Sequence, residues 1–166
     1  MLPVILWLRL VDLMPKRVSN RIWLLVIIFS LILPLCGCGS PPATARVIQV
    51  IDGDTIIVEG GYRVRYIGID APEIHPEAEA FGIEAWQANR KLLEGKEVRL
   101  ERDVSEKDKY GRLLRYVWVD DVLVEAELVR QGLARAKAYP PDTKYQDYLE
   151  RMEAEARLAG RGIWAK

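Results

Sequence analysis

Five short runs rich in Val, Ile and Tyr, a helix-patterned segment interrupting them after the third, and two helix-patterned segments at the end predict an α+β, mainly β fold. The expected architecture is a five-stranded Greek-key barrel with about three packed α-helices. The first three strands are expected at about 45–51, 55–59 and 62–69, with Asp52-Gly53 and Gly60-Gly61 as the turns between them. A glycine pair between two β-branched runs is a strong two-residue hairpin signal. From about Phe81 to Leu93 the period becomes helical, with Phe81, Ala85, Ala88 or Asn89, and Leu92 on one side and Gly95 closing the segment. "EVRLERD" and "LRYVWV" supply the fourth and fifth strands. A short helix is expected at about 124–131, ended by Gly132, then a corner at Tyr139-Pro140-Pro141. The last helix, about 143–159, carries Tyr145, Tyr148 or Leu149, Met152 and Ala156 at i, i+3, i+4 spacing and stops at Gly160, a stripe read as core.

Ahead of this domain, Lys16, Arg17 and Arg21 precede "IWLLVIIFSLILPL" at 22–35, a basic region followed by an apolar one of the length a secretory signal uses and short for a membrane span. Next comes "LCGCGS", in which Cys38, preceded by Gly37, looks like the lipidated cysteine of a bacterial lipobox; Cys36, preceded by Leu35, fits less well. A plain cleaved signal and a retained anchor are the alternatives. Met14 would open a conventional signal peptide and competes with Met1 as the start. The expected division is therefore an export segment over 1–38, a "GSPPAT" linker over 39–44 and one folded domain over 45–166. The expectation for the whole is an exported protein, lipid-anchored at the cell envelope or secreted, and monomeric.

Beyond residue 38 there is no cysteine, which excludes a disulfide framework and a zinc-thiolate site for the domain. That part holds 20 basic and 23 acidic residues, a net charge of −3. Nucleic-acid binders are usually basic, so contact with phosphate must come from a local cluster.

Such a cluster is legible. Asp52, Asp54, Asp70 and Glu73 fall at the ends of predicted strands, Arg65 falls inside one, and Arg112 closes the segment "DKYGR" at 108–112. Carboxylates converging from strand ends suit a hard cation such as Ca²⁺, which takes six to eight oxygens including carbonyls and water. Arginine suits bidentate recognition of phosphate. Together they describe phosphodiester chemistry with one metal, in which a carboxylate activates water. Each signal also has a plainer reading: Asp52-Gly53-Asp54 as a turn, Asp70-Ala71-Pro72-Glu73 as a strand end with a helix cap, "KYGR" as a hairpin. Arg65 is hardest to explain that way, because a charge within a strand needs a partner. His75, the one histidine, is expected to be a solvent-facing loop residue.

The series "IDGDT", "RVRYIGIDAPE", "FGIEAW", "DKYGRLLRYVWVDD", "LVEAELVRQGLA" and "GIW", in this order over about 45–165, resembles the staphylococcal (micrococcal) nuclease family, the thermonuclease-like domain. The resemblance implies an OB-fold, calcium-dependent endonuclease that hydrolyses DNA and RNA to products with 3′-phosphate ends. It implies Asp54, Asp70 and the backbone carbonyl of Ala71 as calcium ligands, Glu73 as general base or water-positioning group, and Arg65 and Arg112 as the phosphate-binding arginines of catalysis. Lys109 and Tyr110 match positions that touch a terminal phosphate of a bound nucleotide, Tyr139 would supply one stacking ring, and Asp52 lies near the metal without ligating it. The loop "IHPEAEAFG" is shorter and more acidic than the family pattern, with Glu77 and Glu79 in place of lysines, and Ala71 replaces a threonine. The competing expectation is a catalytically inactive OB-fold module that binds nucleic acid or protein.

Overall fold

The computed structural model describes residues 41–165. The export segment with Cys38, and the start of the linker, lie outside the described residues. Among the described residues no helix is long and apolar enough to cross a membrane.

Three strands open the domain: β1 (Thr44–Val50), β2 (Thr55–Val58) and β3 (Tyr62–Tyr66). β1 pairs antiparallel with β2 and β2 with β3, Thr55 standing opposite Arg65. The second hairpin turns through three residues, Glu59-Gly60-Gly61, and not through the glycine pair alone, since Val58 is the last residue of β2 to pair and stands opposite Tyr62. Gly60 and Gly61 take φ of 83° and 77°, the left-handed region that glycine enters freely. β5 (Glu97–Glu101) and β6 (Leu113–Val119) pair with each other, and β5 also pairs with β1. β6 then runs parallel to β3, Val64 beside Leu113, which closes a five-stranded barrel. A β-rich sheet with one apolar face reaches this solution because closure removes its edges. Val47, Ile56, Val58, Val64, Leu113 and Val117 alternate inward and fill it.

Three helices cover the barrel: α1 (Gly82–Leu93), α2 (Val124–Arg130) and α3 (Gln146–Leu158). α1 buries Ala85, Asn89 and Leu93, and α3 buries Leu149 and Ala156. The inward face of α1 thus takes Asn89 rather than Ala88 and Leu93 rather than Leu92, and the chain reaches α3 about three residues later than its sequence pattern suggests.

One departure from the sequence expectation shapes the site. The predicted third strand, 62–69, breaks after Tyr66. Gly68 adopts φ of 81°, and a Cβ there would stand 2.6 Å from Leu149 Cδ1, so chain direction and helix packing both demand glycine. Beyond the break, β4 (Ile69–Asp70) leaves the barrel and pairs with β8 (Arg135–Ala136), Asp70 opposite Arg135. The short β7 (Val122–Leu123) extends the hairpin of β6 ahead of α2.

Candidate active site

The turn between β1 and β2 is built from its own side chains. Asp52 Oδ1 accepts the amide of Asp54 at 2.9 Å, an Asx turn. Its position is then fixed from α1: Trp86 Nε1 donates to the Val50 carbonyl at 3.0 Å and Asn89 Nδ2 to the Asp52 carbonyl at 2.9 Å. Asn89 Oδ1 in turn accepts the buried hydroxyl of Tyr66 at 2.9 Å. Gly53 belongs to the turn for a reason other than dihedral freedom. A Cβ at Gly53 would lie 2.6 Å from Ala71 Cβ and 2.9 Å from Ala85 Cβ, so only glycine lets the turn, the Asp70-Ala71-Pro72-Glu73 segment and α1 meet.

That approach brings Asp54 and Asp70 to the same arginine. Arg65 Nη1 lies 2.9 Å from Asp54 Oδ2 and Arg65 Nη2 lies 3.3 Å from Asp70 Oδ1. Asp54 is 4% exposed; its Oδ1 accepts Thr55 Oγ1 at 3.1 Å and its Oδ2 the Ala71 amide at 3.0 Å. The Asp54 carboxyl is raised to about 7, chiefly by burial, with Arg65 opposing the rise and Asp52 adding to it. Asp70 is more open and takes Lys137 Nζ at 2.8 Å on Oδ2, which holds the lysine well above its ordinary value. The Asp54, Asp70, Ala71 backbone and Arg65 positions singled out in the sequence are therefore contiguous.

Glu73 is exposed and sits beyond Pro72 in the loop before α1. Partial burial and then Asp52 raise its carboxyl, Arg65 lowers it, and Glu79 and Asp70 raise it further. Its amide donates to Glu79 Oε2 at 3.2 Å and its carbonyl accepts the Glu79 amide at 2.9 Å, so the acidic loop folds back on Glu73. A Cβ at Gly82 would stand 2.4 Å from the Glu73 carbonyl, so the first turn of α1 also presses on it. His75 is exposed in this loop. Among the described residues no three His, Cys, Asp or Glu side chains form a ready-made metal cage.

Beside Arg65 runs a groove of about 380 Å³ lined by Lys109, Tyr110, Arg112 and Tyr139 among others. The loop from β5 to β6 supplies three of these. Asp108 organises it: Oδ1 accepts the amides of Tyr110 and Arg112 at 2.9 and 3.0 Å, and Oδ2 pairs with Arg112 Nε at 2.7 Å. Burial would raise the Asp108 carboxyl, but these bonds outweigh it and hold it below its ordinary value. Lys109 Nζ and Arg112 Cζ lie 5.0 and 5.5 Å from the Tyr110 ring centroid, and Lys137 Nζ lies 5.3 Å from that of Tyr139. On the opposite wall, Asp142 Oδ1 accepts the amides of Val104 and Ser105 at 2.9 and 2.7 Å.

The sequence assigns no task to Asp108, Lys137, Trp86 or Asp142, and marks Asn89 only as a helix-face position. An aspartate three residues before a glycine is a usable turn signal for Asp108. Lys137 has no such signal, because its partner Asp70 is 67 residues away.

Residues 63–166 match the family model described as staphylococcal nuclease homologue. The chain is 42% identical over 128 residues to the thermonuclease of Staphylococcus hyicus, covering 74% of this chain and 76% of that one. It is 44% identical over 124 residues to the thermonuclease of Staphylococcus intermedius, covering 71% and 74%. To endonuclease YncB of Bacillus subtilis (strain 168) it is 40% identical over 126 residues, 71% of this chain and 60% of that one. With a closed five-stranded barrel, three helices and these relatives, the chain belongs to the staphylococcal nuclease homologue family.

Proposed function

We propose that this protein is an exported, calcium-dependent endonuclease that hydrolyses phosphodiester bonds of DNA and RNA to products with 3′-phosphate ends. The observation that carries the reading is Arg65 held between Asp54 and Asp70 at one end of a groove lined by Arg112, Lys109 and two tyrosines. The relatives named thermonuclease and endonuclease support the same activity class. A hard divalent cation suits the donor set. All the donors are oxygens, carboxylates Asp52, Asp54, Asp70 and Glu73 outnumber the cations Arg65 and Lys137, and the domain offers no thiolate. Asp54, Asp70 and the Ala71 carbonyl would hold calcium, with water and substrate completing its shell.

When bound, calcium would supply positive charge that polarises the phosphoryl group. The remaining work falls to side chains. Arg65 and Arg112 grip the non-bridging oxygens and stabilise the charge that builds on them. Glu73, with its carboxyl raised, orients a water and takes its proton as the water attacks phosphorus in line with the departing 5′-oxygen. Breaking the bond to the 5′-oxygen leaves the phosphate on the 3′ side. Lys109, Tyr110 and Tyr139 hold the adjoining nucleotide.

The test incubates the purified protein with denatured DNA and with RNA, in calcium or in chelator. Calcium-dependent cleavage of both, lost in Glu73→Ala, is the expected result. Equal binding in calcium and in chelator with no cleavage would replace this reading with the inactive binding barrel. The export half of the proposal rests on the sequence of residues 1–38, including Cys38 as the lipidated residue. Cys38→Ser should release the protein from the membrane fraction of cells, and unchanged partitioning would remove the lipid anchor.

A further inference from the structure

A second hollow, of about 320 Å³, begins at Asp70 and Ala71 and is walled by Phe81, Ile163 and Arg135, with Glu79 at its side. No residue lines both hollows, and they meet at the Arg65–Asp70 ion pair, since Arg65 lines the first and Asp70 the second. Arg135 stands directly opposite Asp70 in the β4–β8 ladder, which puts both side chains on one face. Asp70 nevertheless takes Arg65 and Lys137, and Arg135 forms no ion pair among the described residues. Its guanidinium lies on Trp164 instead, Cζ 4.4 Å from the ring centroid. Arg157 covers Trp164 as well, at 3.6 Å, and is itself tied to Glu153 at 3.0 Å, so the indole is a braced platform. Stacking occupies the plane of a guanidinium and leaves its N–H edge for an anion. The apolar wall is braced too. Phe81 is held at φ of 68°, where a bulky side chain is rare, next to the Gly82 that packs against Glu73.

An internal phosphodiester has a nucleotide on each side of the phosphorus attacked, and one groove accommodates only one of them. We propose that the hollow between Phe81, Ile163 and Arg135 is the subsite for the nucleotide on the other side of the scissile phosphate, with Arg135 binding that nucleotide's own phosphate. This rests on the nuclease reading above. It assigns a phosphate contact to a residue that is neither in the carboxylate set nor in the "DKYGR" loop.

The test uses the full chain and two substrates: a single-stranded DNA 12-mer, and a mononucleotide whose 5′-phosphate is esterified to nitrophenol and so presents no second nucleotide. Arg135→Gln keeps a planar group for Trp164 and removes the charge; Arg135→Lys keeps the charge. KM for the 12-mer should rise about fivefold more than KM for the ester in Arg135→Gln, more again in Arg135→Glu, and return towards wild type in Arg135→Lys. In chelator, fluorescence anisotropy of the labelled 12-mer should show weaker binding for Arg135→Gln, with the slope of log affinity against log salt reduced by about one. Equal KM changes on both substrates, or unchanged binding and salt slope in a folded Arg135→Gln protein, would overturn the subsite while wild-type cleavage kept the nuclease reading intact. A wild-type protein that neither cleaves nor binds the 12-mer would take down both.

Discussion

The carboxylate end of the site and the basic groove beside it are built on different principles. Asp54 is 4% exposed, and the Arg65 side chain that holds it is 13% exposed. Chain segments around them are in such close contact that a Cβ at Gly53 would meet the Ala71 and Ala85 methyls and one at Gly82 the Glu73 carbonyl. Tyr110, by contrast, is 71% exposed, and the loop that carries it keeps its cations in place through an aromatic face and the Asp108–Arg112 pair. The first region fixes a few oxygens and one guanidinium in low dielectric, where each contact is strong and each missing partner costly. The second offers adaptable side chains in water, where each contact is worth little. Residues in the first should therefore control turnover and stability together, and residues in the second should leave stability alone, with affinity their main effect except at Arg112, which grips the reacting phosphate.

The largest test of that contrast is Arg65→Ala. It should lower kcat by about 10²- to 10³-fold and also destabilise the fold by about 3–5 kcal/mol, because the buried Asp54 loses the cation that offsets its burial. Arg112→Ala should lose activity with little change in urea unfolding, and a matched stability loss in both variants would erase the distinction. Next in size, Gly53→Ala should cost about 1–3 kcal/mol through the clash with Ala71 and Ala85. It should also raise the calcium concentration that gives half-maximal cleavage, whereas destabilisation with unchanged calcium dependence would detach the close packing from the site.

Burial alone does not make a carboxylate part of this centre, and Glu125 on α2 sharpens the point. It is fully buried in the core, and its two oxygens share the single amide of Val117 at 3.0 and 3.2 Å. Burial raises its carboxyl well above 4.5. Because the folded state favours the protonated form, the stability from this group is complete below 4.5 and is lost as pH rises above it. Glu125→Gln should therefore gain on the wild type in melting temperature as pH goes from 4 to 8, and a pH-independent gap would refute the buried-acid account.

The two smallest effects belong to the groove. Asp108→Asn keeps an acceptor for the loop amides but removes the charge facing Arg112, and should lower kcat/KM by about tenfold. Tyr110→Ala should raise KM a few-fold with unfolding free energy within about 0.5 kcal/mol of wild type. A collapse of kcat in Tyr110→Ala would move that ring from the adaptable half of the site into the rigid one.

Much of this organisation is readable along the chain. Period-two runs and the Gly60-Gly61 turn mark β1 to β3, and helical periods mark α1 to α3, because side-chain periodicity and turn dihedrals are properties of near neighbours. Asp54, Asp70 and Arg65 stood out as charges among strand formers, since such charges need partners. Their partners were harder to read. The break at Gly68 brings that glycine against Leu149 on α3, a contact that no local pattern announces. Gly53 looked like a turn residue, and its constraint is contact with Ala71 and Ala85.

By itself, then, the sequence determined the mainly β barrel, its inserted and trailing helices, and the residue types from which a cation and phosphate site can be made. Only the tertiary structure decided that Arg65 spans Asp54 and Asp70, that Lys137 reaches Asp70, and that Arg135, across the ladder from it, lies on Trp164 with no ion-pair partner among the described residues. The physical reason is closure. Pairing β3 with β6 and β4 with β8 brings segments up to 67 residues apart to within bonding distance, and that register depends on the packing of the whole barrel rather than on any stretch of the chain.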